Sequence, residues 1–202
     1  MSDTTCHMSI SLDGYVAGPE QSLANGLGIR GQELHAWHMG DARANKADSV
    51  ANSWLMRPRG AYVMGRKMFG PIRGEWEPDW HGWWGAEPPY HAPVFVLTHY
   101  PRESIELEGG TTFHFVTEGF DAAYAQAFAA AEGRGVDVAG GASTVRQALA
   151  ADVVDELVLD VAPVLLGAGE RLFDGVTSFP FEPVETLHSP LATHIRYRRV
   201  GR

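Results

Sequence analysis

Hydrophobic residues along the chain fall into short runs that predict β-strands. Each run is rich in β-branched or aromatic residues and is bounded by glycine, proline or polar residues, a pattern typical of strands. The six main runs are Thr5–Ile10, Ala61–Met64, Val94–Thr98, Thr112–Val116, Val136–Ala139 and Glu156–Val161. Two further runs, Pro183–His188 and His194–Val200, lie near the end of the chain, and we expect them to pair as antiparallel strands.

Helical patterns separate several of these strands. They span Lys46–Met56, Phe120–Glu132 and Thr144–Ala151. In the second pattern, apolar residues such as Phe120 and Ala123 recur three or four positions apart, which places them on one helix face. Strands that alternate with helices are joined by right-handed crossovers, and these produce a mainly parallel sheet covered on both faces. The sequence therefore predicts an α/β fold.

Two long segments interrupt this alternation of strands and helices. Gly14–Gly31 is rich in glycine, whereas Phe69–Pro93 is rich in tryptophan, glycine and proline. The tryptophans are Trp76, Trp80, Trp83 and Trp84. Loops of this length are usually functional or disordered, and a concentration of tryptophan argues against disorder. We expect both segments to border a pocket, with a hydrophobic plug over the sheet edge or a subunit interface as the alternative role for the tryptophans.

Length and composition bear on organisation and location. The 202 residues are 45% hydrophobic, enough for a buried core, and no repeat or low-complexity linker divides them, so we expect one domain over residues 1–202. No apolar run approaches the roughly 18 residues of a membrane span, and no basic stretch leads into an apolar block at the N-terminus. We therefore expect a soluble cytoplasmic protein whose single cysteine, Cys6, packs in the core.

The charge balance argues against a nucleic-acid partner. Sixteen lysines and arginines against 25 aspartates and glutamates leave a formal net charge of -9, which repels a phosphate backbone. A small anionic ligand is compatible with this charge, because a few basic groups and backbone N–H donors act on it at short range.

Two glycine motifs match nucleotide-binding fingerprints in their letters alone. Gly26–Gly31 fits G-x-G-x-x-G, but that motif needs a strand that ends just before its first glycine, and the preceding Pro19–Asn25 is polar and turn-like. Gly60–Lys67 resembles a P-loop, but its middle is a hydrophobic strand, and Met68 stands where a magnesium-binding serine or threonine is required. We expect neither segment to be a fingerprint of the named type.

Three predicted strands end in residues that suit phosphate groups. Gly65 is followed by Arg66 and Lys67, a second strand runs into the polar cluster Thr98–Arg102, and a third is followed by the helix start Gly140–Thr144. Ligands collect at the carboxyl ends of parallel strands, where glycines allow a close backbone approach and helix N–H groups bind anionic oxygens. Each cluster alone could be a solvated basic turn or a capped tight turn, but together they suggest a ligand with separated phosphates, such as NADPH.

With these residues in place, the chain resembles the dihydrofolate reductase superfamily, in particular proteins related to the reductase domain of the bifunctional riboflavin-biosynthesis deaminase-reductase. The matching pieces, in the family's order, are Met8–Gly18, Met64–Phe69, Val96–His99, Ala139–Thr144 and Val154–Gly169. The resemblance implies a single-domain three-layer α/β sandwich with a mostly parallel central sheet and antiparallel C-terminal strands. It also implies NADPH as cofactor and a homodimer.

The resemblance further implies which positions contact NADPH. Those near the nicotinamide, the phosphates, the 2′-phosphate and the pyrophosphate are, in chain order, Val16, Ala17, Gly65, Arg66, Lys67, Met68, Thr98, His99, Gly140, Gly141, Ala142, Ser143 and Thr144. Within this set, Val16 and Ala17 border the nicotinamide, and Thr98 and His99 lie near the 2′-phosphate.

Two carboxylates are the catalytic candidates. Asp160 lies mid-strand, where a charge needs a partner or a purpose, and the resemblance points it into the substrate pocket. Asp48 lies on the helix where true dihydrofolate reductases carry a pterin-binding carboxylate, about one residue out of register. A structural polar group is the alternative for Asp160, and an exposed residue near a helix start is the alternative for Asp48. Trp37 is expected to form an aromatic wall for a flat substrate.

His35 and His38 are spaced to share one helix face, as a metal-binding pair would be. No third ligand stands at a fixed spacing from them, so we expect packing or pocket-rim roles and no metal.

These observations predict a reductase that transfers hydride from NADPH to a C=N or C=O carbon of a small heterocyclic (pterin or pyrimidine-like) or carbonyl substrate. A non-catalytic NADPH-binding sensor on the same fold is the first alternative, and a structural dimerisation domain is the second, because one fold hosts many functions.

Overall fold

The computed structural model describes residues 3–39, 45–70 and 73–201, in which the chain forms strands and helices in alternation. The strands are β1 (Thr4–Ser11), β2 (Tyr15–Ala17), β3 (Ala61–Gly65), β4 (Pro93–Leu97), β5 (Ile105–Glu106), β6 (Thr112–Val116), β7 (Val136–Gly140), β8 (Glu156–Ala162), β9 (Glu170–Arg171), β10 (Phe181–His188) and β11 (Thr193–Arg199). The helices are α1 (Lys46–Leu55), α2 (Arg66–Phe69), α3 (Phe120–Ala130) and α4 (Ala142–Ala150), with 3-10 helices at Gly31–His38 and Glu108–Gly110.

A nine-stranded sheet forms the centre of the fold, in the order β10-β11-β8-β1-β7-β3-β4-β6-β5. The strands from β8 to β6 in this order are parallel to one another. At one edge β11 and β10 are antiparallel, and at the other β5 is antiparallel to β6. The separate pair β2 and β9 is also antiparallel. This topology confirms the predicted α/β class and the antiparallel C-terminal strands.

Every predicted strand and helix is present, with ends that differ from the prediction by at most two residues. The prediction missed β2, β5, β9, α2 and both 3-10 helices. These elements are mostly two to four residues long, too short to show a periodicity, and their form depends on partners elsewhere in the chain. The pair β2 and β9, for example, joins segments about 155 residues apart.

The sheet separates an apolar core from a partly polar layer. Because successive side chains on a strand alternate in direction, Cys6, Met8 and Ile10 of β1 point into the core beneath α3 and α4. His7 and Ser9 point to the opposite face, which α1 and the 3-10 helix Gly31–His38 cover. The sheet and its two covering layers form a three-layer sandwich.

Cys6 is a packing residue, as expected. It is fully buried in the core, and this burial raises the pKa of its thiol well above the usual value, so the thiolate needed for chemistry is disfavoured.

The tryptophan-rich segment covers β3, β4 and β6. Trp76 packs on Phe69 and Phe115, and Trp84 stacks on Phe113. This arrangement matches the plug that was the alternative role for the tryptophans; residues 71–72 of the segment lie outside the described residues. Trp83 reaches the glycine-rich segment, because a Cβ on Gly26 would lie 2.9 Å from its ring. The two long segments therefore touch each other.

Both glycine motifs prove to be unrelated to nucleotide fingerprints. Gly26–Gly31 lies in consecutive turns with no strand before it, and the middle of Gly60–Lys67 is β3. Among the described residues, no helix is long and apolar enough to cross a membrane.

Candidate functional site

The three predicted phosphate-binding clusters meet at the carboxyl ends of three neighbouring strands. Strands β7, β3 and β4 are neighbours and run parallel, so Gly140, Gly65 and Leu97 lie side by side at their carboxyl ends. The tertiary structure thus brings together residues that are separated by as many as 75 positions in the chain.

Gly141 lies at the start of α4 in an open position. Its φ is -78°, which any residue can adopt, and a Cβ built on it would have no atom within 4 Å. Among the described glycines, it is the only one that combines an ordinary φ with open space. Neither φ nor a steric contact within the chain therefore requires glycine here, whereas a ligand that approaches the backbone would.

At the neighbouring positions Gly140 and Gly65, the fold of the chain itself favours glycine. Gly140 has a φ of +114°, a region that favours glycine. A Cβ on Gly65 would lie 2.6 Å from Thr144 Oγ1, so the absence of a side chain at Gly65 allows α4 to begin close to β3. The backbone N–H groups of Ala142 and Ser143 open this helix and have no carbonyl one turn before them within it. They are available to an anionic oxygen.

Two guanidinium groups follow the carboxyl ends of β3 and β4 and share one tryptophan. The Arg66 guanidinium carbon is 3.5 Å from the centre of the Trp76 ring, and that of Arg102 is 5.3 Å away. Arg66 donates to Thr98 Oγ1, and Arg102 donates to the carbonyl of Pro78. Burial and, for Arg66, the charge of Arg102 lower the pKa values of these groups.

Each of the two arginines also retains a buried nitrogen without a partner in the described part of the chain: Nε of Arg66 and Nη1 of Arg102. Neither arginine forms an ion pair with a described carboxylate. Two cations with unsatisfied donors are a suitable environment for a phosphate group.

The other predicted cofactor residues differ in their surroundings. Lys67 forms an ion pair with Glu170 of β9, so its ammonium is not directed at the glycine seat. The Thr98 hydroxyl donates to the carbonyl of Tyr100 and accepts from Arg66, whereas His99 is exposed. Met68, in α2, is half-buried and packs on the core near the tryptophans. Val16 and Ala17 of β2 are buried.

A buried polar network occupies the opposite half of the sheet, over β1, β8 and β11. The strand register pairs Ser9 with Asp160 and Asp160 with His194, so their side chains lie side by side on one face. His7 Nε2 is 2.7 Å from Asp160 Oδ2, and Trp37 Nε1 donates to Ser9 Oγ. The mid-strand carboxylate at Asp160 therefore has partners on both neighbouring strands.

His194 connects the two carboxylates that the sequence singled out. Its Nδ1 is 2.7 Å from Asp160 Oδ1, and its Nε2 is 2.9 Å from Asp48 Oδ1. All three side chains are at most 1% exposed. Asp48 is thus buried, and the alternative of an exposed residue near a helix start is wrong.

The charges of the network follow from these contacts. Burial opposes ionisation of Asp160, but the charge of His7 and the hydrogen bonds from His194 and His7 outweigh it, so the pKa of Asp160 is lowered. Burial likewise opposes protonation of His194, but its hydrogen bonds to Asp160 and Asp48 prevail and raise its pKa. The geometry therefore favours an imidazolium between carboxylates.

Trp37 does not form an open aromatic wall. It is 1% exposed, and its ring lies against His7, His38 and His194. The expected ring face toward a substrate is therefore covered in this structure, and Trp37 instead seals the network from solvent.

The predicted shared face of His35 and His38 is present, because His35 Nδ1 and His38 Nε2 are 3.1 Å apart. Burial, together with the neighbouring His38, lowers the pKa of His35 to about 4, so His35 is neutral at physiological pH. Among the described residues, no group of three or more His, Cys, Asp or Glu side chains is arranged to hold a metal ion.

A model of the RibD C-terminal domain family matches residues 4–190. The chain belongs to this family. RibD C-terminal domains are the reductase part of riboflavin biosynthesis, so membership supports an oxidoreductase activity. No curated protein sequence matches the chain.

Two solved structures share the RibD-type fold. A protein from Shewanella sp. PV-4, assigned to riboflavin biosynthesis, is 23% identical with a TM-score of 0.67, and the match covers 98% of this chain and 99% of that one. The Thermotoga maritima diaminohydroxyphosphoribosylaminopyrimidine deaminase/5-amino-6-(5-phosphoribosylamino)uracil reductase is 15% identical with a TM-score of 0.59. That match covers 98% of this chain but 56% of the Thermotoga chain. At these identities the likeness shows a shared fold.

Sequence reasoning missed three members of the network in this RibD-type chain: His7, Ser9 and His194. Polar side chains at alternate positions of β1, His7, Ser9 and Ser11, were a detectable signal, because a strand in the middle of a sheet is usually apolar on both faces. His194 gave no comparable signal, since a histidine in an antiparallel strand next to a turn is exposed as often as it is buried. Arg102 was noted in its cluster, but its place beside Arg66 depends on the tryptophan-rich segment.

Proposed function

We propose that the chain is an NADPH-dependent reductase. The observation that carries the proposal is the open position of Gly141, next to the free N–H groups that begin α4. A phosphate there would accept from these N–H groups and benefit from the positive end of the helix dipole. Family membership favours the same cofactor, and the residues at this edge suit its shape and charge.

The preference for NADPH over NADH is assigned to Arg66 and Arg102. These two guanidinium groups have unpartnered buried nitrogens and share the Trp76 ring. NADPH differs from NADH by one 2′-phosphate, a dianion that matches two cations. Bound NADPH would supply a hydride, and the chain would hold the cofactor and handle the accompanying proton.

The proposed substrate is a small nitrogen heterocycle with a reducible C=N or C=O group. Buried carboxylates such as Asp48 and Asp160 suit N–H-rich rings, because a carboxylate accepts hydrogen bonds from them. The Thermotoga relative is named as a reductase of 5-amino-6-(5-phosphoribosylamino)uracil, and we take this compound as the first substrate to assay. Asp160 and Asp48 are the proposed acid-base residues. Deaminase activity is not part of the proposal, since this chain spans 56% of that enzyme.

The first test is a titration of the purified protein with NADPH and with NADH, followed by thermal shift and nicotinamide fluorescence. A ligand that binds the native state raises its melting temperature, so NADPH should raise it more than NADH at equal concentration. Binding followed by NADPH oxidation with the uracil substrate supports the reductase. Binding without turnover of any heterocyclic or carbonyl acceptor would favour the non-catalytic sensor, and no binding of either cofactor would refute both.

Arginine variants test the assigned preference. Arg66→Ala and Arg102→Ala should each weaken NADPH binding by about 10-fold to 150-fold, because a hydrogen bond to a charged group contributes about 1.5–3 kcal/mol. NADH binding should change little. Arg134→Ala is the matched control, because it removes the same charge from an exposed turn just before β7, at the amino end of that strand. Equal losses for NADPH and NADH would contradict the assignment.

A homodimer also stays a prediction. Light scattering coupled to size-exclusion chromatography measures it directly, and a monomer across the working concentration range would contradict it.

A further inference from the structure

The number of protons on His194 follows from its two hydrogen bonds. Nδ1 faces Asp160 Oδ1, and Nε2 faces Asp48 Oδ1, both at hydrogen-bond distance. A neutral imidazole has one N–H and can donate to one of these oxygens, whereas an imidazolium donates to both. Two ionised carboxylates on either side of one histidine therefore require the doubly protonated ring.

This extra proton is held away from solvent. His194, Asp48 and Asp160 are each at most 1% exposed, and the Trp37 ring lies 4.9 Å from that of His194. A buried carboxylate without a counter-charge is costly, so the imidazolium and its neighbours stabilise one another. The raised pKa of His194 has the same cause.

One carboxylate oxygen of the unit formed by His194, Asp48 and Asp160 remains available for a further hydrogen bond. Asp48 Oδ2 is buried and has no hydrogen-bond partner in the described residues, although Asp48 Oδ1 is bonded to His194. Asp160 uses both of its oxygens, one toward His194 and one toward His7. A proton that leaves the unit toward a ligand therefore has Asp48 Oδ2 as its exit.

We propose that His194 is a positioning residue that stores the proton of the reductase reaction and passes it to the substrate through Asp48. The proposal rests on the proposed function, since it needs a hydride acceptor. It assigns the acid to a shared unit of three residues and gives Asp160 the role of holding the imidazolium in place.

A hydride adds to the carbon of a C=N or C=O bond, and the π electrons of that bond move to nitrogen or oxygen. His194 Nε2 gives its proton to the Asp48 carboxylate, and the resulting carboxylic acid gives a proton to this atom, so Asp48 is ionised again after the transfer. The substrate gains one hydride and one proton, NADPH becomes NADP⁺, and His194 is left as neutral imidazole. A proton from solvent then restores the imidazolium.

Other ionisable groups surround His194 and influence its titration. They are Asp48 from α1, Asp160 from β8, His7 from β1, His35 and His38 from the 3-10 helix, and the pair Arg196 and Glu185 on β11 and β10. The pKa of His194 is raised in the folded state. Its contribution to folding stability is therefore fully present below the pKa of the unfolded state, and it is lost as pH rises through the pKa of the folded state. Turnover should follow the same direction and fall as pH rises.

The proton itself is tested by NMR of protein labelled with ¹⁵N at histidine, with His194→Gln used to assign the signals. We expect both ring nitrogens of His194 to carry a proton at pH 7 and to lose one of them only above the usual pKa of histidine. A single protonated nitrogen at pH 7 would overturn the proposal. This measurement needs neither cofactor nor substrate, so its failure is distinct from a failure of the proposed function, which shows as no thermal shift with NADPH.

The relay is tested by kinetics with NADPH and 5-amino-6-(5-phosphoribosylamino)uracil. We expect kcat of His194→Gln to fall by about 10²-fold to 10⁴-fold, as general acid catalysis is lost, and its decline with rising pH to disappear. The Kd for NADPH should remain within about twofold of the wild-type value. His114→Gln on β6 is the matched control, because its ring contacts Ser104 and Phe95 far from the network. Wild-type kcat and pH dependence in a folded His194→Gln protein would overturn the relay.

Discussion

Replacing Gly141 by leucine separates ligand binding from folding. The φ of -78° is ordinary for leucine, and a Cβ at this position meets no atom within 4 Å. The unliganded protein should therefore tolerate the substitution, with a change in unfolding free energy within about 0.5 kcal/mol. The new side chain would fill the space in front of the Ala142 and Ser143 N–H groups. A phosphate could then no longer reach these donors.

The expected loss of affinity follows from the two donors. A hydrogen bond to a charged group contributes about 1.5–3 kcal/mol, so the loss of both amounts to about 3–6 kcal/mol. This corresponds to a decrease in NADPH affinity of about 10²-fold to 10⁴-fold. Gly141→Ala adds one carbon and should have an intermediate effect.

Calorimetric titration with NADPH measures the affinity, and circular dichroism with thermal melting checks the fold. Ala150→Leu is the matched control, because it adds a leucine side chain at an exposed position at the other end of α4. A folded Gly141→Leu protein that binds NADPH within about threefold of the wild type would refute the assignment of this seat.

Three further predictions concern stability. Ser11 and the backbone N–H groups of Gly167 and Leu166 donate to Asp13 and lower its pKa from 3.8 to about 2, so its stabilising effect is present above pH 3.8 and is lost as pH falls toward 2. Asp13→Asn should thus melt lower than the wild type at pH 7, and the difference should narrow over that acid range; a constant difference would contradict this. Gly65→Ala places a Cβ 2.6 Å from Thr144 Oγ1 and should lower the free energy of unfolding, measured in urea, by about 1–3 kcal/mol. Adding Thr144→Ala should recover much of this loss, and strictly additive effects of the two substitutions would contradict the contact. His35 has a pKa of about 4 against 6.5 in an ordinary environment, so the fold should lose stability as pH falls between these values, and His35→Gln should lose less over the same range in thermal melts.

The sequence by itself determined the class of fold and the location of the proposed cofactor seat. Alternating hydrophobic runs and helical periodicity placed each strand and α-helix of five or more residues in the main sheet and its covering layers, because these patterns are local consequences of strand and helix geometry. Gly65, Gly140 and Gly141 were recognisable because glycine after a strand has a local conformational meaning. The rule that ligands bind at the carboxyl ends of parallel strands then joined the three clusters.

Only the tertiary structure decided which side chains form the buried polar network and which two cations lie against one tryptophan. His194 meets Asp48 and Asp160 because β11 pairs in register with β8 and α1 packs on β11, and no local pattern encodes that register. Arg102 meets Arg66 because the tryptophan-rich segment folds back over the sheet and places the Trp76 ring against both guanidinium groups. The burial of Trp37 likewise depends on the 3-10 helix that the sequence did not reveal. Such contacts arise from packing between distant segments, whereas hydrophobic periodicity reports only the face that each segment buries.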